Sequence, residues 1–352
     1  MGNPGKVLVV CLVLGSGCKL ISSSFRGKHS KNSESAPAPA SSGDGVAEQP
    51  NIPKTGPTGP TVPEEVFQIP EPAADVPLEG TVVRRPQGGI DISGNIAGIW
   101  DKKMNPVYVL GDITLKTGKT LVVKEGVQVY IDPNARFYVE GAQLKIVGTA
   151  AEPVLFTSLT PEQTWQGIRV CSAATCDSEV VKGKLEIRHA IFERARKADN
   201  NPNDVTWRRG GVFNIRMSET VIIEDTIFQN NFGLERGGAI EIIAENPNII
   251  FRRNMLRDNS NEGGGGALQI THGRNLKLEQ NTFVNNTTKA EGAGIAFIDS
   301  AGILLSRNVF ENNRAEQPGG AISCDGHGET IAIDASNIFK GNLPNDKLCK
   351  EQ

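Results

Sequence analysis

One pattern returns five times after residue 227 and leaves this chain few ways to fold. An aromatic or leucine stands at Phe228, Leu256, Phe283, Phe310 and Phe339, with steps of 28, 27, 27 and 29 residues. Three residues after each comes an asparagine: Asn231, Asn259, Asn286, Asn313 and Asn342. Twelve residues after each of the first four stands Ile240, Leu268, Ile295 or Ile322, closing a Gly-Gly-Ala-Ile-like tetrapeptide. A unit of this size cannot bury its apolar face alone, so neighbouring units must stack.

Helical repeats are excluded, because no stretch carries apolar residues at i, i+3, i+4 and i+7 over three turns. The alternation has period two instead: Val221 and Ile223, Ile249 and Phe251, Leu276 and Leu278, Ile303 and Leu305, Ile331 and Ile333. A second short strand follows each glycine pair, its inward residues running from Ile240 and Ile242 to Ile322 and Cys324. Each unit therefore reads as one coil of a parallel β-helix. Asparagine tolerates left-handed backbone, and stacked turns can join its amides into a ladder, so Asn231, Asn259, Asn286, Asn313 and Asn342 are assigned to the scaffold. The same register extends back through Phe156 and Ile168, then Phe192 and Phe213, with extra residues near 171–184 and 197–209.

The segment from Tyr108 to Val170 resembles the amino-terminal part of right-handed β-helix proteins of the pectin-lyase-like superfamily. The GGAI and FxxN tetrapeptides resemble those of chlamydial polymorphic outer-membrane proteins. The resemblance covers about 105–345 and implies an all-β, right-handed solenoid of roughly 8–10 coils. It is weak for function, since that fold hosts lyases, hydrolases, adhesins and inert scaffolds. The chlamydial proteins are autotransporters, and nothing after Phe339 here could supply a membrane barrel.

The amino terminus reads as a targeting segment. Lys6 precedes an apolar core, Val7–Leu14, too short to span a bilayer. Leu14-Gly15-Ser16-Gly17-Cys18 resembles the bacterial lipobox, with its leucine at −4 rather than −3 from the cysteine. The resemblance implies a signal peptide at 1–17, lipid attachment at Cys18 and membrane association through that anchor. Lys19, where aspartate would signal inner-membrane retention, implies an outer-membrane lipoprotein facing the surface or the periplasm. Residues 18–62 form a Ser/Pro/Ala/Gly-rich linker too polar to fold, spanning on the order of 35 Å as a coil. Residues 63–104 are expected to cap the solenoid at 105–345, with a tail at 346–352.

A net charge of −3 gives no basic field for nucleic acid. Outside the targeting segment four cysteines remain, and proximity pairs Cys171 with Cys176 and Cys324 with Cys349; free thiols are the alternative. Such bridges fit an oxidising compartment.

No catalytic set stands out. Four residues before the aromatic slot, one outward column reads Arg188, Glu224, Arg252, Glu279, Ser306, the alternating charge of a solvated face. One residue after the glycine motif, another reads Asn214, Glu241, Gln269, Ala296, Ser323, with a single acid. His272 and His327 complete no metal shell, and Gly263–Gly266 lacks the lysine of a phosphate loop. The best binding candidate is the 197–209 insertion, where Asp199, Asn203, Asp204, Trp207, Arg208 and Arg209 combine an indole with charge, as a glycan site would. Asp199 and Asp204 could instead hold calcium; no other cofactor is expected. The chain reads as an exported scaffold that binds a glycan or a surface protein, or serves as a structural element. The alternatives are a lyase or glycoside hydrolase acting on an acidic glycan, signalled by acids converging beside the insertion with Asp225 or Glu235, and an assembly subunit, signalled by an exposed apolar stripe.

Overall fold

The computed structural model describes residues 78–171, 182–197, 208–216, 218–244, 248–325 and 331–349. The expected signal segment and linker, with Cys18, Cys176, Asp199, Asn203, Asp204 and Trp207, lie outside the described residues.

The fold is a right-handed parallel β-helix, as the repeat and the resemblance imply. One coil shows how the sequence builds it. Ser218–Glu224 lies in the first face, Ile227–Gln229 in the second and Ile240–Ile243 in the third. Each pairs in parallel with its equivalents in the coils before and after. Inward positions stack like on like: Phe156 on Phe192 on Phe228 at ring separations of 5.1 and 5.3 Å, and Phe283 on Phe310 on Phe339 at 5.0 and 5.1 Å. Neither insertion breaks the register, because Phe192 still faces Phe228, and Phe213 still joins Ile168 to Ile240.

The two ends are finished differently. Glu79–Arg84 pairs antiparallel with Ile90–Trp100 at the first coil, with a register shift between Glu79 and Thr81. At the other end Cys324 bonds to Cys349, holding Lys347–Leu348 beside Ile322–Asp325. The Lys347 ammonium lies 5.3 Å from the centre of the Phe339 ring. Cys171 is also disulfide-bonded.

The recurring asparagines hold the coils together at one corner. Each donates from Nδ2 to Oδ1 of the next: Asn231 to Asn259 at 3.0 Å, Asn259 to Asn286 at 3.0 Å, Asn286 to Asn313 at 2.9 Å and Asn313 to Asn342 at 2.9 Å. The same Nδ2 reaches back to a main-chain carbonyl, and the backbone N–H of each asparagine donates to the next Oδ1. These residues are not the left-handed ones, contrary to expectation. Positive φ falls one residue earlier, at Asn230, Asp258, Asn285 and Asn312, with φ of 56, 56, 54 and 55°. The tight turn and the inward-facing amide are separate jobs, done by successive residues.

A second ladder runs along another corner, through Asn254, Asn281, Asn308 and Asn337. It is written in the sequence as an asparagine two residues before Leu256, Phe283, Phe310 and Phe339, a second series beside the one expected. Its left-handed partners are Arg253, Gln280 and Arg307, again one residue earlier.

Asn259→Ala removes two donations and orphans the buried groups that bonded to Oδ1, so we expect a loss of about 3 kcal/mol. Asn342→Ala, at the last rung, loses the equivalent four bonds, including the donation to Asp346, and should cost a similar amount. Asn259→Asp keeps the shape but donates nothing and should resemble the alanine variant at neutral pH. Denaturant midpoints check all three, and a near-neutral Asn259→Ala would contradict this account.

Candidate partner-binding face

Outward side chains of the third face should meet solvent, yet the inner of their two columns does not. The glycine turns fold back over it. Gly237 has φ +60°, and a Cβ there would lie 2.2 Å from the Ile240 carbonyl oxygen and 2.9 Å from the Glu241 nitrogen. A Cβ on Gly264 would come within 3.4 Å of Gln269 Oε1 and 3.7 Å of the Ala296 Cβ. Glycine is required at Gly237, whereas a Cβ at Gly264 would make ordinary contact with the column beneath it.

Asn214, Glu241 and Gln269 are consequently buried in three successive coils. Asn214 Nδ2 donates to Glu241 Oε2 at 2.5 Å. Asn214 Oδ1, Glu241 Oε1 and Gln269 Oε1 have no partner. Burial pushes the Glu241 carboxyl above its ordinary value, against the opposing pull of Arg209, Arg236, Arg216 and Lys197. A protonated Glu241 would add an O–H donor to a column in which three side-chain oxygens lack a partner.

Of the candidate binding residues in the insertion, the described ones are Arg208 and Arg209. Both turn to one carboxylate: Arg208 Nη1 lies 3.1 Å from Glu235 Oε1, and Arg209 Nε donates to Glu235 Oε2 at 2.9 Å. Asp225 is held by Arg253 through two bonds of 2.7 and 2.8 Å. The two acids that were to signal catalysis are thus engaged by guanidinium groups. Among the described residues, no three His, Cys, Asp or Glu side chains converge as metal ligands would.

The alternating column of the first face forms its expected ion pairs, with Glu224 between Arg188 and Arg252. It is not a fully solvated face, however, since the Glu224 side chain is 0% exposed. The flanking arginines and Arg253 close over it, a geometry that alternation alone does not reveal.

Four charges on the third face make no close ion pair, although Arg216 and Arg236 act at longer range on the buried Glu241. Among the described residues, Arg216 and Arg236 have no carboxylate at ion-pair distance, and Glu291 and Asp325 have no cation. Burial and the Asp325 charge together push the Glu291 carboxyl up. The cations belong to two earlier coils and the carboxylates to two later ones, so the face is electrically bipolar along its length. These residues do not stand out in the sequence, because the pattern appears only when turn and strand columns lie side by side.

Two family descriptions match the chain: a pectate-lyase like beta helix domain over residues 99–203, and a right handed beta helix region over residues 188–342. No curated protein and no solved structure matches it.

Glu241 gives the site a pH signature. Its folded-state carboxyl binds a proton more tightly than the unfolded one, so its stabilising contribution is full below the ordinary value of 4.5 and is lost as pH rises through the raised value. Glu241→Gln keeps the shape of the neutral acid. Its melting temperature should exceed that of the wild type at pH 8, with the gap closing as pH falls towards 4. A gap that stays constant with pH would contradict the assignment.

Proposed function

We propose that this chain is an exported, lipid-anchored β-helix of the cell envelope that works by binding a protein partner on its third face. The observation that carries the reading is the segregation of unpaired charge there, Arg216 and Arg236 in earlier coils and Glu291 and Asp325 in later ones. A polyanionic glycan would be attracted at one end and repelled at the other, whereas a protein surface can match both signs. Occupation of Arg208 and Arg209 by Glu235 also weighs against an acidic glycan at the insertion.

The pectate-lyase-like description brings a polysaccharide lyase into view, and such chemistry needs ionisable groups free to meet substrate. Glu235 and Asp225 are ion-paired and Glu241 is buried, which supports binding over catalysis. The assembly reading has one observation in its favour. A mostly apolar column, Ile191, Ile227, Met255, Thr282, Val309 and Ile338, follows the outer side of the second face, ending at Ile338 with 58% exposure.

Anchoring is tested by membrane fractionation and protease shaving of intact cells, comparing wild type with Cys18→Ser. We expect the wild type in the outer-membrane fraction and cleavable from outside, and Cys18→Ser released from the membrane. Retention of Cys18→Ser would refute the lipid anchor. Cleavage only after outer-membrane permeabilisation would place the domain in the periplasm and remove surface partners.

A further inference from the structure

The charges left over on the third face are arranged so that the face complements itself. Its outer strand column reads, coil by coil, Arg216, Ile243, Thr271, Ile298, Asp325. The turn column beside it reads Arg209, Arg236, Gly264, Glu291, with Arg209 already held by Glu235: Arg209 bridges to Arg236 and Arg236 to Gly264, and the Gly265 N–H donates to the Glu291 carbonyl in the following coil. Within these five coils each column carries a cation without an ion pair before its midpoint and such a carboxylate after it. Both are also centred on the same coil, the one that holds Gly264 and Thr271. Arg236 and Glu291 stand one coil to either side of it, and Arg216 and Asp325 stand two.

A two-fold axis along the strand direction through that coil turns each column end for end without moving it sideways. It sets Arg216 opposite Asp325 of a second copy, and Arg236 opposite the second copy's Glu291. Ile243 then meets Ile298, and the Thr271 coil meets itself. We propose that this face is an interface between two copies of this chain, packed antiparallel about that axis. The proposal rests on the reading that the third face binds a protein.

Three observations favour a second copy over another occupant. At about 4.8 Å per coil, Arg216 and Asp325 are about 19 Å apart in one chain, too far to pair with each other. In the antiparallel dimer every one of the four charges gains a partner, and the symmetry supplies each contact twice. Parallel packing would instead put Arg216 against Arg216 and Asp325 against Asp325, so charge selects the antiparallel arrangement. The run Gly263–Gly266 places no side chain at the centre, which leaves room for close approach on the axis. Five coils make a small interface, so the dimer should be concentration-dependent, and its partly exposed ion pairs should weaken with salt.

Light scattering and sedimentation equilibrium of the detergent-solubilised full chain, with disulfides intact, test this directly. The wild type should dimerise, and 1 M salt should weaken it. Arg216→Glu should raise the dissociation constant at least ten-fold, and so should Asp325→Arg. Mixing the two variants should restore dimers to within about three-fold of wild type, because only the mixed pair places opposite charges at every contact. Melting temperatures matching the wild type confirm that both variants fold. A monomeric wild type, single variants that dimerise normally, or a mixture that fails to recover would each overturn the interface. Cross-linking on intact cells separates this idea from the broader one. A product of twice the chain mass that Arg216→Glu abolishes supports self-association. A product of another mass that Arg216→Glu abolishes keeps a protein-binding face and overturns the dimer. No product sensitive to Arg216→Glu overturns both.

Discussion

The structure depends on one requirement: polar groups turned inward at the corners of each coil must be satisfied by the coils next to it. Strands satisfy their own backbone through parallel pairing, but the turns between them would leave buried donors and acceptors stranded. Asparagine meets the need because a single side chain carries an acceptor and two donors at a fixed geometry. Aspartate lacks the donors, and serine lacks the reach to bond coils on both sides. Once two corners are fixed this way, coil spacing is set, and inward residues stack in columns of phenylalanine and isoleucine. The outward residues inherit the same spacing. That inheritance makes charge patterns on the surface a consequence of the scaffold's geometry.

Nearly all of the fold was legible because stacking is written into the chain at a constant period. Phe228, Asn231 and Ile240 mark three points on a coil, and their equivalents mark the same three points in every later one. The corner chemistry was only half legible. The ladder role was visible in Asn231 and its equivalents, but the left-handed turn was credited to them instead of to Asn230, Asp258, Asn285 and Asn312. Both residues of the pair are polar, and composition does not tell which one faces inward. The second ladder escaped for a different reason: Thr226 stands where an asparagine would continue the series, and that blurs the series at its start.

The face was harder to read than the fold. Alternation assigns a residue to the outside of a sheet, and Asn214, Glu241 and Gln269 do point outward. What alternation cannot supply is the path of the glycine turn that returns over them. Glu224 shows the same limit in another setting, since a charge column predicts pairing but not closure over the acid. The bipolar pattern needed one more step. Arg216 and Asp325 are 109 residues apart in sequence, yet they share a column only five coils long.

The ladders also have a direction. In each, Nδ2 of one asparagine points towards the carboxyl-terminal end and Oδ1 of the next accepts it, so the side-chain dipoles align head to tail. The arrangement is a side-chain counterpart of the aligned peptide dipoles in a helix, with its positive pole at the last rung. There Asn342 Nδ2 donates to the Asp346 carboxylate at 3.0 Å, so an anion sits at the positive pole. Adding another coil would require an incoming carbonyl to displace that carboxylate. Asp346 therefore finishes the column: its carboxylate takes the place that the next rung's carbonyl would hold and meets the positive pole with a negative charge.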